Sequence, residues 1–297
     1  MKNKFRKERI MNFKKLLIVL VFACACLFTA CTANDQFYGV NTDVTIDQKV
    51  IYDANGVKIS TKSLIAQAWK DGRYSGANYY LNFDVENSWD KQLYVCPSTV
   101  CVNGILFPAW GSAYIDAGTT GELKLDITPA YLQDYGITLV KDIELSFLLS
   151  EAGSEDNLII TELITITTSA DENYVQPIDD EGVVVYSGDE ANIVIKLTED
   201  NELRLYAENK YGQNINIEAK CISVNGTPSD HAESVKHIPE GKKAYEFISY
   251  PRDLINKKGK NEFKINIAIF DDLADNLALA EPMKDLGTIT VTFGNDN

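Results

Sequence analysis

The chain writes one nineteen-residue pattern twice. ENSWDKQLYVCPSTVCVNG fills residues 86–104 and ENKYGQNINIEAKCISVNG fills residues 208–226, each opening on Glu-Asn and closing on Val-Asn-Gly. Asn87 and Asn103 are sixteen residues apart, as are Asn209 and Asn225. The apolar parity also matches. Leu81, Phe83 and Val85 align with Leu203, Leu205 and Ala207, and Leu93 and Val95 with Ile215 and Ile217; Val100 and Val102 align with Ile222 and Val224. Alternation with polar neighbours is the period-two mark of a strand with one buried face. Glu-Asn-Ser-Trp-Asp-Lys and Glu-Asn-Lys-Tyr-Gly-Gln read as turns between strands, where Asn and Gly tolerate left-handed backbone. Val-Asn-Gly then turns the chain again.

The correspondence extends outward. VIYDANGVKI (50–59) matches VVYSGDEANIVI (184–195) as strand, polar turn and strand, and PAYL (129–132) matches PRDL (251–254) as a Pro-started helical turn. Each copy closes on an alternating strand and a Thr-rich strand. About seven strands in roughly 115 residues, with turn signals every 8–12 residues, is the pattern of an immunoglobulin-like sandwich. The expected architecture is therefore all-β, with two tandem immunoglobulin-like β-sandwich domains at 49–168 and 182–293, joined by the acidic linker 169–181. The Ile-Tyr-Asp-Ala-Asn-Gly-Val-Lys-Ile opening and the Asn…Val-Asn-Gly spacing resemble the tandem sandwich modules of uncharacterised surface lipoproteins from Gram-positive, clostridial-type bacteria. That resemblance covers nearly all of the chain after its leader. It implies a fold and an envelope location, and brings no active-site residues with it.

The N-terminus gives an address. Seven basic residues and one acid lie within residues 1–30, ahead of or beside an apolar run from Leu16 to Ala30. The run is shorter than the roughly 20 apolar residues that a spanning helix needs, and its flanks are signal-like. Leu27, Phe28, Thr29 and Ala30 before Cys31 resemble a bacterial lipoprotein processing box, although Phe28 stands where that family has an aliphatic residue. The resemblance implies a signal peptide over 1–30, lipidation of Cys31, a spacer over 31–48, and a protein anchored on the outer face of the cell membrane. A plain secretory signal with Cys31 left unmodified is the alternative, and a start at Met11 gives a more ordinary leader. Without residues 1–30 the chain keeps 21 basic and 42 acidic residues, a formal charge of −21. Such a surface repels nucleic acid, whose phosphates require clustered Lys and Arg.

Chemistry is sparse. The two histidines, His231 and His237, have neither helical-face nor finger spacing for a metal. No nucleophile elbow of the form Gly-x-Ser-x-Gly appears. DDLADN (271–276) offers oxygen ligands but lacks the Gly and distal Glu of a calcium loop. No cofactor is expected. Cys96 and Cys101, on one continuous strand, read as isolated thiols with Cys221; a Cys96–Cys101 bridge is the alternative.

Shared positions encode the fold, so function is sought where the copies differ. Ile59 to Asn87 spans 28 residues but Ile195 to Asn209 only 14, so the first copy carries an insertion near 60–80. All three tryptophans fall in this copy. Trp69, Tyr74 and Trp110 are the candidate ligand-binding residues, since flat aromatic rings stack on sugar faces. The competing reading is a longer β-hairpin whose aromatics cover the sandwich edge. The sequence thus points to a non-enzymatic, membrane-anchored binding or scaffolding module for an envelope protein or glycan, with carbohydrate binding through those aromatics as the sharper alternative. An envelope hydrolase, which would need converging His or carboxylate groups in a pocket between the domains, is the rival.

Overall fold

The computed structural model describes residues 39–71, 74–154, 158–271 and 281–294, the side chains of 68–71 and 74–77 excepted. It is all-β. The first copy runs β1 (Val50–Ala54), β2 (Val57–Asp71), β3 (Tyr74–Asn87), β4 (Leu93–Val102), β5 (Ile105–Leu106), β6 (Ala113–Ile115) and β7 (Thr120–Ile127). A short helix, α1 (Pro129–Asp134), leads to β8 (Asp142–Glu151), β9 (Ile159–Ile160) and β10 (Ile164–Thr167). The second copy begins with β11 (Val183–Ser187), β12 (Ala191–Leu197), β13 (Leu203–Asn209), β14 (Ile215–Val224) and β15 (Thr227–Pro228). It ends with β16 (Ser234–Ile238), β17 (Lys243–Phe247), β18 (Asn261–Asp271) and β19 (Lys284–Phe293).

The strands pair by one scheme written twice, as facing sheets of immunoglobulin-like sandwich type. The order β1-β2-β3-β7 recurs as β11-β12-β13-β17. Facing them, β4 pairs with β5, β6 and β8, and β8 with β10; β14 pairs with β15, β16 and β18, and β18 with β19. β9, which also pairs with β8, stands where the start of β19 pairs with β18, so β9 and β10 together correspond to β19.

The repeated asparagines explain the repeated pattern. Asn87 is buried and donates from Nδ2 to the carbonyls of Lys91 and Ile115, while its Oδ1 accepts the Trp89 N–H. Asn209 does the same with Gln213, Ile238 and Tyr211. Each side chain closes the corner between two strands of opposite sheets. Asn103 and Asn225 take positive φ, 52° and 50°, ahead of Gly104 and Gly226, the backbone that a two-residue hairpin turn requires. Their side chains also accept backbone N–H groups, of Lys141 and Asp142 in one copy and Glu262 in the other.

Two apolar clusters form. In the first, Ile59, Leu81, Phe83 and Leu123 meet Leu93, Val95, Leu145 and Phe147, with Phe83 edge-on to Phe147 at 5.4 Å. In the second, Ile193, Leu205 and Ala207 meet Ile217, Cys221, Ile265 and Ile267.

Several expectations are corrected. Residues 39–48, expected as spacer, pack on the first copy: Val40 and Val44 are buried, and Ile46 bridges to Thr168. The segment 169–181 is no free spacer. Ile178 packs on the first cluster, the Tyr245 hydroxyl accepts the Asp179 N–H, and Asp179 pairs with Lys196. The copies are also fused. A parallel pair between Ile105 of β5 and Lys243 of β17 merges two sheets into one of ten strands. Val194, Tyr206 and Tyr245, on the outer face of β12, β13 and β17, then join the first cluster.

Cys96, Cys101 and Cys221 are all free thiols. Five residues apart on a regular strand, Cys96 and Cys101 would face opposite sides of the sheet, but β4 bulges between Pro97 and Thr99. The extra residue returns Cys101 to the outer face, where the pair between Glu144 and Lys242 covers it. Burial and Glu144 push its thiol up to about 12. In β14 the bulge comes later, between Cys221 and Ser223, so Cys221 is buried where the repeat alignment expects Ile222.

Candidate functional site

The insertion forms a hairpin arm. β2 and β3 pair from Val57 opposite Asn87 out to Asp71 opposite Tyr74, whereas β7 pairs with β3 only as far as Tyr79 opposite Ile127. The far end of the hairpin therefore stands as a two-stranded ribbon beyond its sheet. This is the longer hairpin of the competing reading.

The register gathers the candidates on one face. Ile65 lies opposite Tyr80, Tyr80 opposite Asp126, and Asp126 opposite Trp110 through an isolated bridge. Directly opposed residues share a face, and steps of two along β2 and β3 put Trp69 and Tyr74 at positions of that same face. The side chains of Trp69 and Tyr74 lie outside the described residues.

Trp110 is held at the edge of β7. The Asp126 N–H donates to its carbonyl at 2.7 Å. Gly111 makes the approach possible: its φ is +155°, and a Cβ there would sit 2.2 Å from the Lys124 carbonyl oxygen. The Trp110 side chain is 51% exposed and pairs with Tyr131, 37% exposed, from α1; the ring centroids are 5.4 Å apart and tilted by 47°. The Pro-started turn predicted from PAYL is what presents Tyr131, since Pro129 and Leu132 are its buried residues.

Polar groups border the rings. Asn78 and Thr128 donate to the Asp126 carboxylate. Burial pushes that carboxyl above its ordinary value, against these hydrogen bonds and the nearby Lys124 ammonium. Lys124 lies over the Tyr80 ring at 3.4 Å and donates to Gln67 Oε1. An exposed aromatic pair, a carboxylate, an amide and a cation thus share one surface. Trp110 lies seven residues after Asn103, where the second copy has Ala232 after Asn225; Tyr131 is not among the residues singled out from the sequence, although PAYL against PRDL sets it opposite Asp253.

The remaining candidates fall elsewhere. Cys31 and residues 272–276 of the calcium candidate lie outside the described residues, and among those described no group of three His, Cys, Asp or Glu is placed to hold a metal. His231 and His237 sit on different cavity walls. A cavity of about 780 Å³ forms a cleft between the copies, with Glu162, Glu240 and His237 along it.

No family model matches the chain, and no curated protein matches it in sequence. Among solved structures it is similar to the YadV chaperone at 13% identity and a TM-score of 0.22, over 73% of this chain and 92% of that one. A structure of Salmonella enterica SafA pilin with the SafB chaperone gives 13% identity and 0.21, over 63% and 82%. Red sea bream transglutaminase gives 12% and 0.21, over 78% of this chain but only 31% of that one.

Proposed function

We propose that this protein is a non-enzymatic envelope module, lipid-anchored through Cys31 on the outer face of the membrane, which binds glycan on the outer face of β2, β3 and β7. On this reading residues 49–168 and 182–293 are its two domains. The observation that carries the ligand class is the exposed Trp110–Tyr131 pair. Large rings left in water beside Asp126, Asn78 and Lys124 combine an apolar platform for sugar C–H faces with hydrogen-bonding groups for hydroxyls. The fold itself does not require them, because the repeat sets Ala232 and Asp253 at the corresponding places.

A glycan array probed with the full chain tests this. Trp110→Ala and Tyr131→Ala should each weaken retention by about tenfold, near 1.4 kcal/mol, while the melting temperature stays close to wild type. Retention of no glycan, or retention by both variants equal to that of the wild type, would overturn the ligand class.

A further inference from the structure

The duplicated sheet is its own control for what an outer face needs. Over Leu93–Cys96 and Ile215–Glu218, ahead of their bulges, β4 and β14 hold corresponding partners in the same register. In the first copy Tyr94 lies opposite Tyr114, Cys96 opposite Leu148, and Leu148 opposite Ile160. In the second, Asn216 lies opposite His237, Glu218 opposite Ala268, and Ala268 opposite Asp285. Leu93 and Val95 between them are core, so these rows face outward. The first copy thus sets two tyrosines and a Cys-Leu-Ile row where the second sets Asn, His, Glu, Ala and Asp. One position runs the other way: Ser150, opposite Tyr94, corresponds to buried Phe270.

The rows are open to solvent at their two ends, while Tyr94, Cys96 and Leu148 between them are half-buried. Tyr114 is 62% exposed and Ile160 58%, and Leu158 extends the patch at 49%. The four strands β6, β4, β8 and β9 span about 14 Å at about 4.8 Å per step. Ile160 also lines the cleft between the copies, so the patch runs into it. Charge there is one-sided. Lys91 is taken by Glu151 and Lys242 by Glu144, each at 2.6 Å, whereas Glu162 and Glu240 make no ion pair among the described residues.

We propose that this face and cleft dock an extended segment of another protein in which apolar residues alternate with Lys or Arg. Apolar side chains would cover Tyr94, Tyr114, Leu148 and Ile160, and a basic group would meet Glu162 and Glu240. A second copy of this chain is a poor occupant, because it would bring acids against acids. The surface lies on the sheet opposite the Trp110 face, so it stands or falls separately from the glycan reading.

The test uses the full chain in zwitterionic lipid nanodiscs and fluorescence polarisation with labelled decapeptides alternating Leu-Lys, Leu-Glu or Ser-Lys. The Leu-Lys peptide should bind at least about tenfold more tightly than either other peptide. The variant Tyr94→Asn/Cys96→Glu/Ile160→Asp takes the second copy's residues, so the fold should tolerate it. It should lose at least about tenfold in affinity, although its added acids would strengthen a purely electrostatic attraction. Ile160→Thr alone should move affinity the same way, and Trp110→Ala should not move it. Undiminished Leu-Lys binding by the triple variant would overturn the proposal. So would equal binding of the Ser-Lys peptide, or sedimentation showing a chain dimer that the triple variant dissolves.

Discussion

Asn87→Ala should remove a corner staple whose worth can be worked out from its bonds. Nδ2 donates to Lys91 O and Ile115 O, and Oδ1 accepts the Trp89 N–H, all at 2.9 Å. A buried neutral hydrogen bond contributes about 1 kcal/mol net, so the three together contribute about 3 kcal/mol. At about 2–4 °C per kcal/mol for a chain of this size, the melting temperature should fall by about 6–12 °C. Asn209→Ala should match it within about 1 kcal/mol, because that side chain makes the same three bonds at 2.8, 2.9 and 2.9 Å. Asn87→Asp should be worse than Ala at neutral pH, since a carboxylate oxygen would face the two carbonyls that Nδ2 now satisfies. Urea unfolding read by tryptophan fluorescence measures this locally, because Trp69, Trp89 and Trp110 all belong to the first copy. An Asn87→Ala change within about 0.5 kcal/mol of wild type, the size of an ordinary surface substitution, would refute the reasoning. So would an Asp variant as stable as Ala.

Iodoacetamide at pH 8, followed by peptide mass spectrometry, should label half-buried Cys96 well before Cys101 and Cys221, whose thiols burial raises to about 12 and about 11. The same shifts bear on stability in alkali. Both thiols are protonated in the folded and unfolded chain below the ordinary value of 9.0, and only the unfolded chain ionises between that value and the raised ones. Stability should therefore fall as pH climbs from about 9 towards 12, and Cys101→Ala should flatten that fall. Lys242→Met keeps the stem but breaks the largely buried pair with Glu144 that ties the copies together, and should cost about 2 kcal/mol by chemical denaturation. No loss would mean that the join does not depend on it.

The strand plan was legible because one buried face per strand writes itself as period two, and because the chain writes the plan twice. What failed was local parity and long-range fusion. A β-bulge leaves no mark in composition, so Cys101 and Ile222 were assigned faces that the bulges in β4 and β14 reverse. The β5–β17 join rests on a single residue pair, Ile105 with Lys243, which no periodicity announces. Val40 and Val44 were read as spacer because two isolated valines in a polar stretch look like neither strand nor helix. For the aromatic face, the sequence could name Trp69, Tyr74 and Trp110 but could not say which strand positions share a face. That required the register running from Ile65 through Tyr80 and Asp126 to Trp110.

The join also limits how the copies can act. Arg204, from β13, lies over the Tyr245 ring at 4.0 Å and donates to the carbonyl of Asp134, the last residue of α1. Tyr245 in turn stacks near Tyr135 at 5.5 Å and Tyr206 at 5.4 Å. Swinging the second copy away would open this cluster and break the β5–β17 pair, stripping apolar area from a packed interface at about 25 cal/mol per Å². Freely hinged sandwiches would give two unrelated surfaces. A fused pair instead holds the cleft walls, one bearing Thr161 and Glu162 and the other His237 and Glu240, at fixed separation. On the docking proposal, the second copy's outer residues can be polar because its part is to complete the cleft, which leaves the first copy to carry the exposed rings and the apolar rows.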